Sequence, residues 1–411
     1  MSTSAARRSE RPETAWVVTW VAYATYYLGR KGFSVAKKSI EHELGIGRSA
    51  LAVIDTGHLA LYAVGQLLSG LLGDRIGARR LVGYGMLLSA VLCVGFGASR
   101  TALAMTVLFA LNGLAQSTGW PGTTRAMAEW TTYANRRRVM AIWCTCYQFG
   151  GLFATAGAAY LLRFGWRWAF FAPAVVIALV GVLVLALLAP GPSAPTEQSI
   201  RAESPVASAA ERKEAVRAAL RSPVLYCYGA SYFAIKLIRY SLLFWLPYYL
   251  SDALAYAPDS AGYLSLAFEV GGIVGVVAIG LVTHRLRHVS RPALASATLV
   301  LLAFALGLYI LIAPLGAAPN ALGLALVGAC LFGPDSLISG AAAQDAGGPH
   351  AAATATGLVN GLGSLGAVLQ GALNAGVSRA FGWRAVFYVF VGLAFVAAVA
   401  LVPTFRRDTH G

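Results

Sequence analysis

The chain has 411 residues, of which 58% are hydrophobic and only 12% are charged. Soluble domains have about 25% charged residues, so this composition excludes an ordinary soluble domain and indicates a membrane protein. The net charge of +15 would suit nucleic-acid binding, but the basic residues form short clusters between apolar runs, and we therefore expect no nucleic-acid partner.

Apolar runs take up nearly the whole sequence, and many reach the roughly 18 residues that a helix needs to cross a hydrocarbon core. We predict about 12 such helices, called spans 1 to 12. They cover approximately residues 15–35, 49–72, 80–98, 102–128, 138–163, 167–189, 223–250, 260–283, 292–313, 318–343, 352–379 and 383–403. No cleavable signal peptide is expected, because no short apolar core with a cleavage site follows the basic segment Met1–Thr14.

Basic clusters occur at alternate connections between these spans, and the intervening connections are poorer in lysine and arginine. The clusters contain Arg7, Arg8, Arg11, Arg75, Arg79, Arg80, Arg136, Arg137, Arg138, Arg212, Lys213, Arg217, Arg221, Arg285, Arg287, Arg291, Arg406 and Arg407. Cytoplasmic loops of membrane proteins carry such an excess of positive charge. We therefore expect a multi-pass protein of the plasma or inner membrane, with both termini in the cytoplasm.

Span 1 contains an arginine, Arg30, inside an otherwise apolar run. A charged side chain at bilayer depth costs roughly 2.5–3.5 kcal/mol, so it usually faces a bundle interior or a water-filled cavity and marks a functional site. Tyr23 and Tyr27 precede Arg30 on the same helical face. Span 7 repeats the arrangement, about half a chain later, with Tyr232, Lys236 and Arg239.

Two arginines half a chain apart suggest one anion held between two halves, and phosphate suits them. Guanidinium donates two parallel hydrogen bonds to phosphate oxygens and keeps its proton when it is buried. Lys236 and the tyrosine hydroxyls are further donors. The alternative is that both arginines pair with acids inside the bundle. The candidates for such pairing are Glu269, Asp335 and Asp55.

The other titratable residues of the apolar spans are candidates for coupling or gating. Asp55 and His58 lie one turn apart in span 2, where they form either a proton relay or a simple hydrogen-bonded pair. Glu269 in span 8 is either a coupling acid or an ion-pair partner of a cation in span 7. Asp335 in span 10 follows Gly333-Pro334, and irregular backbone at membrane depth is tolerated where it lines a cavity.

The chain reads as two similar halves. The polar segment Pro190–Ser222 separates six spans from six more, and Phe164-Gly-Trp-Arg167 in the first half recurs as Phe381-Gly-Trp-Arg384 in the second. We predict an N-terminal half at 1–189, a cytoplasmic connection at 190–222 and a C-terminal half at 223–411. Six-helix halves with a substrate site at their interface are the architecture of major facilitator transporters.

The connection after span 2 agrees with this architecture. The run Gly70-Leu-Leu-Gly-Asp74-Arg75-Ile-Gly-Ala-Arg79-Arg80 resembles the loop signature G-x-L-x-D-R-x-G-R-R of that family. A carboxylate at Asp74 can accept from a helix N-terminus, and the arginines can meet lipid phosphates. The resemblance implies a gating role for Asp74 and Arg75.

Five motifs together resemble the organophosphate:phosphate antiporters. They are Tyr23–Ser34, Asn112–Pro121, Ile235–Pro247, Phe268–Gly272 and Gly333–Asp335. The resemblance covers nearly the whole chain. It implies an all-α fold and exchange of inorganic phosphate for an organic phosphate ester. It also implies substrate-binding arginines on helices 1 and 7, at the positions of Arg30 and Arg239.

Two residues depart from the glycerol-3-phosphate members of that family. Gln66, one turn after Tyr62, stands where those members have a lysine, and Tyr147 stands where they have a histidine. Neutral hydrogen-bonding groups favour sugar hydroxyls over a second anionic group. We therefore expect Tyr62, Gln66 and Tyr147 to bind a sugar phosphate, with glycerol 3-phosphate as the other candidate.

The preferred hypothesis is a monomeric secondary transporter that works by alternating access in the lipid bilayer. One alternative is proton-coupled symport of an organic anion through Asp55, His58 and Glu269; another is a transporter-like sensor of sugar phosphate. An enzyme is not expected, since the sequence has no nucleophile elbow, metal cluster or suitably spaced pair of acids. No cofactor, metal or disulfide framework is expected, because the five cysteines all fall in apolar segments.

Overall fold

The computed structural model describes residues 12–131, 139–140, 142–189, 191, 209–286 and 289–405. These residues form helices and no strand. The chain divides into two units, the first comprising Met1–Ser204 and Tyr256–Tyr263, the second Pro205–Ala255 and Leu264–Gly411. The predicted boundaries around residues 190–222 stay a prediction, since much of that connection lies outside the described residues.

Eight helices are described in the part of the first unit before residue 190. They are α1 (Pro12–Tyr26), α2 (Leu28–Leu44), α3 (Arg48–Ile76), α4 (Ala78–Ala98), α5 (Ala102–Gln116), α6 (Gly119–Trp130), α7 (Thr145–Leu161) and α8 (Trp168–Leu187). Two of their ends show ordinary capping chemistry. Thr101 caps α5 by accepting a hydrogen bond from the Ala104 amide, and Gly45 ends α2 in the left-handed region at φ 65°.

Predicted spans 1 and 4 are each interrupted rather than continuous. Span 1 breaks at Tyr27, whose amide bonds to the carbonyl of Ala24 in a tighter turn. Span 4 breaks at Ser117 and Thr118, whose hydroxyls donate to carbonyls three residues back, at 2.6 and 2.7 Å. Such side-chain bonds compete with the helical ladder. Both breaks lie beside candidate site residues, Arg30 in span 1 and Gln116 in span 4.

The remaining helices are α9 (Ala209–Arg221), α10 (Pro223–Leu254), α11 (Pro258–Arg285), α12 (Arg291–Ile312), α13 (Ala317–Ser336), α14 (Ala343–Phe381) and α15 (Trp383–Leu401). Pro334 lies inside α13, and a π-helical segment, Leu337–Ala342, connects α13 to α14. Helix α14 has 39 residues, so the predicted gap between spans 10 and 11 is helical.

Six helical stretches of the described chain are long and apolar enough to cross a membrane. They are Ala78–Ala98, Trp168–Leu187, Pro258–Arg285, Arg291–Leu315, Ala317–Gly347 and Trp383–Thr404. These match predicted spans 3, 6, 8, 9, 10 and 12. Predicted spans 1 and 4 are each divided into shorter helices, of 15 and 17 residues and of 15 and 12 residues, which are below the roughly 18 residues that a crossing needs.

Each unit has its own aromatic packing. In the first unit, Phe33, Phe96 and Phe109 form a cluster with ring centroids 5.0–5.5 Å apart. In the second unit, the ring of Phe387 lies 4.8 Å from that of Tyr249 and 5.2 Å from that of Tyr309. Aromatic pairs at such distances add to the stability given by buried area alone.

Candidate anion-binding residues in the two units

Arg30 lies in the first turn of α2, immediately after the break at Tyr27, and three groups surround its guanidinium. Its Nε donates to the Oε1 of Gln116 at 2.8 Å. Its Cζ lies 4.6 Å from the ring centroid of Tyr27 and 5.2 Å from that of Tyr62. Aromatic faces attract cations electrostatically, more strongly where water is excluded. The side chain is therefore held in a defined orientation.

A chain of neutral side chains holds Gln116 in place. Gln116 Nε2 lies 3.4 Å from the Ser89 hydroxyl, which donates to Asn112 Oδ1 at 2.6 Å. Asn112 Nδ2 then donates to the carbonyl of Gly29 at 3.0 Å, next to Arg30. All these side chains are buried. The sequence gives no signal for this closed network, because its members come from three helices and carry no charge.

Gly29 is what allows α2 to approach this network closely. A Cβ at residue 29 would lie 2.6 Å from Gln116 Nε2, which is closer than carbon atoms and amide nitrogens pack. A side chain at residue 29 would therefore force the amide of Gln116 to shift from its observed position. The close approach brings the amide of Gln116 within hydrogen-bond distance of Arg30.

Tyr23 and Gln66, two of the other predicted ligands of the first unit, contact the tyrosines beside Arg30. Tyr23 is buried, with its ring centroid 6.0 Å from Tyr27 and 5.1 Å from Trp120. Gln66 Nε2 donates to the Tyr62 hydroxyl at 2.9 Å. Tyr147 is half-buried in α7. The structure thus brings Tyr27, Tyr62 and Gln116 directly to Arg30, and connects Tyr23 and Gln66 to it through tyrosine rings.

Asp55 and His58, predicted as a pair, each contact a different residue. Asp55 forms an ion pair with Lys37, and both side chains are 0% exposed. His58 stacks on Phe109 at 4.3 Å, and its Nδ1 lies 3.0 Å from the Phe109 carbonyl. Lys37 was not among the predicted site residues, since it lies beyond the predicted end of span 1.

In the second unit, helix α13 holds Arg239 of α10. Arg239 Nη1 donates to Asp335 Oδ2 at 2.7 Å, and the two side chains are 17% and 11% exposed. The guanidinium Cζ also lies 4.5 Å from the ring centroid of Phe332, one turn before Asp335. Of the alternatives left open by the sequence, pairing with an acid is therefore observed for Arg239.

Lys236 lies one turn before Arg239 on α10 and contacts α14. Its Nζ donates to the Ser364 hydroxyl at 3.1 Å and to the Asn360 carbonyl at 3.5 Å. It also lies 5.0 Å from the ring centroid of Tyr232. Glu269 is half-buried in α11. The two cations of α10 therefore contact different neighbouring helices.

Two predicted gating residues cannot be placed in the same detail. The backbone of Asp74 and Arg75 belongs to the last turn of α3, but their side chains lie outside the described part of the chain.

Among the described residues, no group of three or more histidine, cysteine, aspartate or glutamate side chains could hold a metal ion. The five cysteines are not in disulfides.

Residues 19–371 match the model of the Major Facilitator Superfamily. Sugar phosphate exchanger 3 of Gallus gallus is 31% identical over 402 residues, covering 87% of this chain and 79% of that protein. Glucose-6-phosphate exchanger SLC37A2 of Danio rerio is 28% identical, covering 96% and 92%. A crystal structure of a bacterial homologue of the human lysosomal transporter Spinster covers 99% of both chains with a TM-score of 0.74 at 13% identity, which shows a common fold.

The helical membrane fold and the family match define a multi-pass secondary transporter. Within that class, the chain belongs to the organophosphate:phosphate antiporter family of the Major Facilitator Superfamily. The predicted fold class, an all-α membrane protein of the major facilitator type, is confirmed. The predicted family is confirmed as well.

Proposed function

We propose that the protein exchanges an organic phosphate ester for inorganic phosphate by alternating access. The observation that supports this most directly is the fixed guanidinium of Arg30, which is held by Gln116 and flanked by Tyr27 and Tyr62. A planar guanidinium in a defined orientation suits the tetrahedral oxygens of phosphate. The names of the relatives, sugar phosphate and glucose-6-phosphate exchangers, agree with this chemistry.

The organic group is, in our proposal, a sugar. Tyr62 and Gln66 form a neutral hydrogen-bonded pair next to the arginine, and Tyr147 offers a third neutral polar group. Sugar hydroxyls both donate and accept hydrogen bonds, as tyrosine hydroxyls and glutamine amides do. Glycerol 3-phosphate is the second candidate substrate, since it presents the same phosphate and fewer hydroxyls.

The burial of the cationic ligands supports an exchange mechanism. Arg30 and Arg239 both act as phosphate ligands in this proposal. Enclosing a cation away from water is costly unless an anion or good hydrogen bonds compensate it. Asp335 already supplies an anion to Arg239, whereas Arg30 donates to a neutral amide. A bound phosphate therefore adds charge compensation chiefly at Arg30, so the loaded protein reorients more readily than the empty one. A ligand shifts a conformational equilibrium in this way only through its differential affinity for the states.

The contacts of Asp55 favour exchange over proton coupling. A proton relay through Asp55 requires exchange of a proton with water, whereas this carboxylate is 0% exposed and is held in an ion pair with Lys37. We further propose a transporter without enzymatic activity that works as a monomer, lies in the plasma or inner membrane and has both termini in the cytoplasm. The basic clusters described above support this orientation.

Counterflow in proteoliposomes tests the proposal. Purified protein is reconstituted with internal phosphate, and uptake of radiolabelled phosphate is measured against external glucose 6-phosphate, glycerol 3-phosphate and phosphoglycerates. We expect uptake that requires internal phosphate or ester, with glucose 6-phosphate as the best competitor. Equal uptake into phosphate-free vesicles, accompanied by a substrate-driven pH change, would instead support proton symport. Binding of sugar phosphate without any counterflow would support a sensor.

A further inference from the structure

One helix, α13, supplies two contacts to Arg239. Phe332 presents its ring face at 4.5 Å, and Asp335 accepts a hydrogen bond at 2.7 Å, so the guanidinium is bound by a cation–π contact and an ion pair. The carboxylate accepts from Nη1, one of the donors that a phosphate would use. A phosphate that binds this donor must therefore displace Asp335 from it.

The backbone at Asp335 is suited to such a movement. Pro334 lies inside α13 and has no amide hydrogen, so the helix lacks one of its hydrogen bonds one turn earlier. The π-helical segment Leu337–Ala342 follows directly. Prolines and π-helical turns are common causes of helix bending and often occur at functional sites. The carboxylate is thus carried on a deformable part of its helix.

The corresponding contact in the first unit is made by a neutral group. Predicted spans 4 and 10 are the fourth spans of their halves, and they contribute Gln116 to Arg30 and Asp335 to Arg239. An amide oxygen accepts a hydrogen bond but leaves the positive charge of the donor uncancelled. A carboxylate accepts the hydrogen bond and also neutralises that charge. The fourth span therefore presents a competitor anion in the second unit only.

We propose that Asp335 is an internal anion that competes with the transported phosphate for Arg239, and that this competition selects dianionic substrates. The proposal rests on the phosphate exchange proposed above. The carboxylate is covalently part of the same unit, so its effective concentration at Arg239 is high. A tetrahedral monoanion carries no more charge than the carboxylate and fails to displace it. A phosphate dianion carries two charges and can engage the guanidinium through two oxygens.

Equilibrium binding of radiolabelled inorganic phosphate to the purified full-length protein in detergent tests this role. In Asp335→Asn the competitor charge is lost, and we expect the Kd for phosphate to fall about ten-fold. Methanesulfonate, a tetrahedral monoanion, should displace phosphate from Asp335→Asn at concentrations that have no effect on the wild type. Asp345→Asn is the matched control, because it breaks an exposed ion pair with Arg291 and should leave both measurements unchanged.

The outcomes separate this proposal from the proposed function. Absence of phosphate binding by the wild type overturns both. Wild-type binding with an unchanged or higher Kd in Asp335→Asn overturns the competition alone. If Asp335→Asn does not fold, the reciprocal variant Gln116→Glu tests the same principle, because it places a carboxylate beside Arg30. We expect its Kd for phosphate to rise about ten-fold, and an unchanged Kd overturns the proposal.

Discussion

Arg30 of span 1 and Arg239 of span 7 have different surroundings. Arg30 donates to an amide, Gln116, and a carboxylate of the same unit, Asp55, is paired with Lys37 two turns further along α2. Arg239 donates directly to a carboxylate, Asp335. Each half thus has an arginine in its first span, but Asp55 of the first half pairs with a lysine, whereas Asp335 of the second half pairs with the arginine. If both arginines bind the substrate as proposed, this difference predicts that they contribute unequally to anion binding.

The placement of the acid decides what an approaching anion must displace. At Asp55 the carboxylate is used for stability, since both partners of the ion pair are 0% exposed. At Asp335 the carboxylate is 11% exposed and accepts a hydrogen bond from a proposed substrate ligand, Arg239. Replacement of Asp55 is therefore expected to lower the stability of the fold, and replacement of Asp335 to change the affinity for phosphate.

The change from aspartate to asparagine at residue 55 should have the largest effect on stability. Removing one partner of a buried ion pair leaves the other charge uncompensated, which costs about 3–5 kcal/mol. We expect a large decrease in the thermal midpoint of Asp55→Asn in detergent, without tighter phosphate binding. The double variant Lys37→Met/Asp55→Leu should recover most of the loss.

Its control is Glu43→Gln, which breaks the solvent-exposed ion pair with Arg167. Exposed pairs contribute about 0–1 kcal/mol, so this variant should unfold close to the wild-type midpoint. Equal midpoints for Asp55→Asn and Glu43→Gln would contradict a structural role for Asp55 and would remove the contrast with Asp335.

Replacement of the arginines by lysine tests whether both are phosphate ligands. Lysine keeps the positive charge but loses the planar pair of donors, so we expect Arg30→Lys and Arg239→Lys to lose about 100-fold in phosphate exchange. The measurement is initial uptake into phosphate-loaded proteoliposomes at matched protein content. Robust exchange by both lysine variants would rule out the pair of arginine ligands.

The neutral network of the first unit should matter less than the arginine that it holds. Asn112→Ala removes the link between Ser89 and the Gly29 carbonyl, and we expect phosphate affinity to fall roughly ten-fold through misplacement of Gln116. Asn374→Ala is a matched buried control in the second unit, where Asn374 donates to Ser241. It should lower stability by a similar amount and leave affinity unchanged; equal affinity losses would argue for a purely structural role of both.

Tyr62→Phe should give the smallest effect. The ring that faces Arg30 is kept, and only the hydroxyl bonded to Gln66 is lost. We expect the affinity for inorganic phosphate to stay unchanged and the affinity for the sugar phosphate to fall about three-fold, consistent with loss of one neutral hydrogen bond. Competition curves for the two ligands against labelled phosphate measure the ratio. A parallel loss for both ligands would place the hydroxyl on the phosphate instead.

The fold class could be predicted from the sequence because composition, span length and the recurring Phe-Gly-Trp-Arg motif are all local signals. Arg30 and Arg239 could also be found, because a charge is conspicuous in an apolar span. The break at Tyr27 was missed, since it arises from a single tighter turn without proline. Helix α14 begins before the approximate start of span 11, because the small and polar residues between spans 10 and 11 continue the helix.

The contacts of the site were harder to predict than its residues. The hydrogen bond from Arg30 to Gln116 joins two residues that are 86 positions apart in sequence. The sequence alone does not indicate the partner of a neutral amide inside a span. Lys37 was overlooked because it lies beyond the predicted end of span 1, although α2 continues to Leu44. The pairing of Asp335 with Arg239 was one of several open alternatives, which only the packing of α13 against α10 distinguishes.

The close approach at Gly29 has a consequence for how this sequence can vary. A methyl group at residue 29 would lie 2.6 Å from the amide of Gln116. A side chain at residue 29 and the long side chain at residue 116 therefore compete for the same space. Homologues that gain a side chain at residue 29 should carry a shorter residue at 116 and must support their arginine in another way. Across an alignment of the family, the sizes of these two residues should therefore be anticorrelated, whichever ester each member transports.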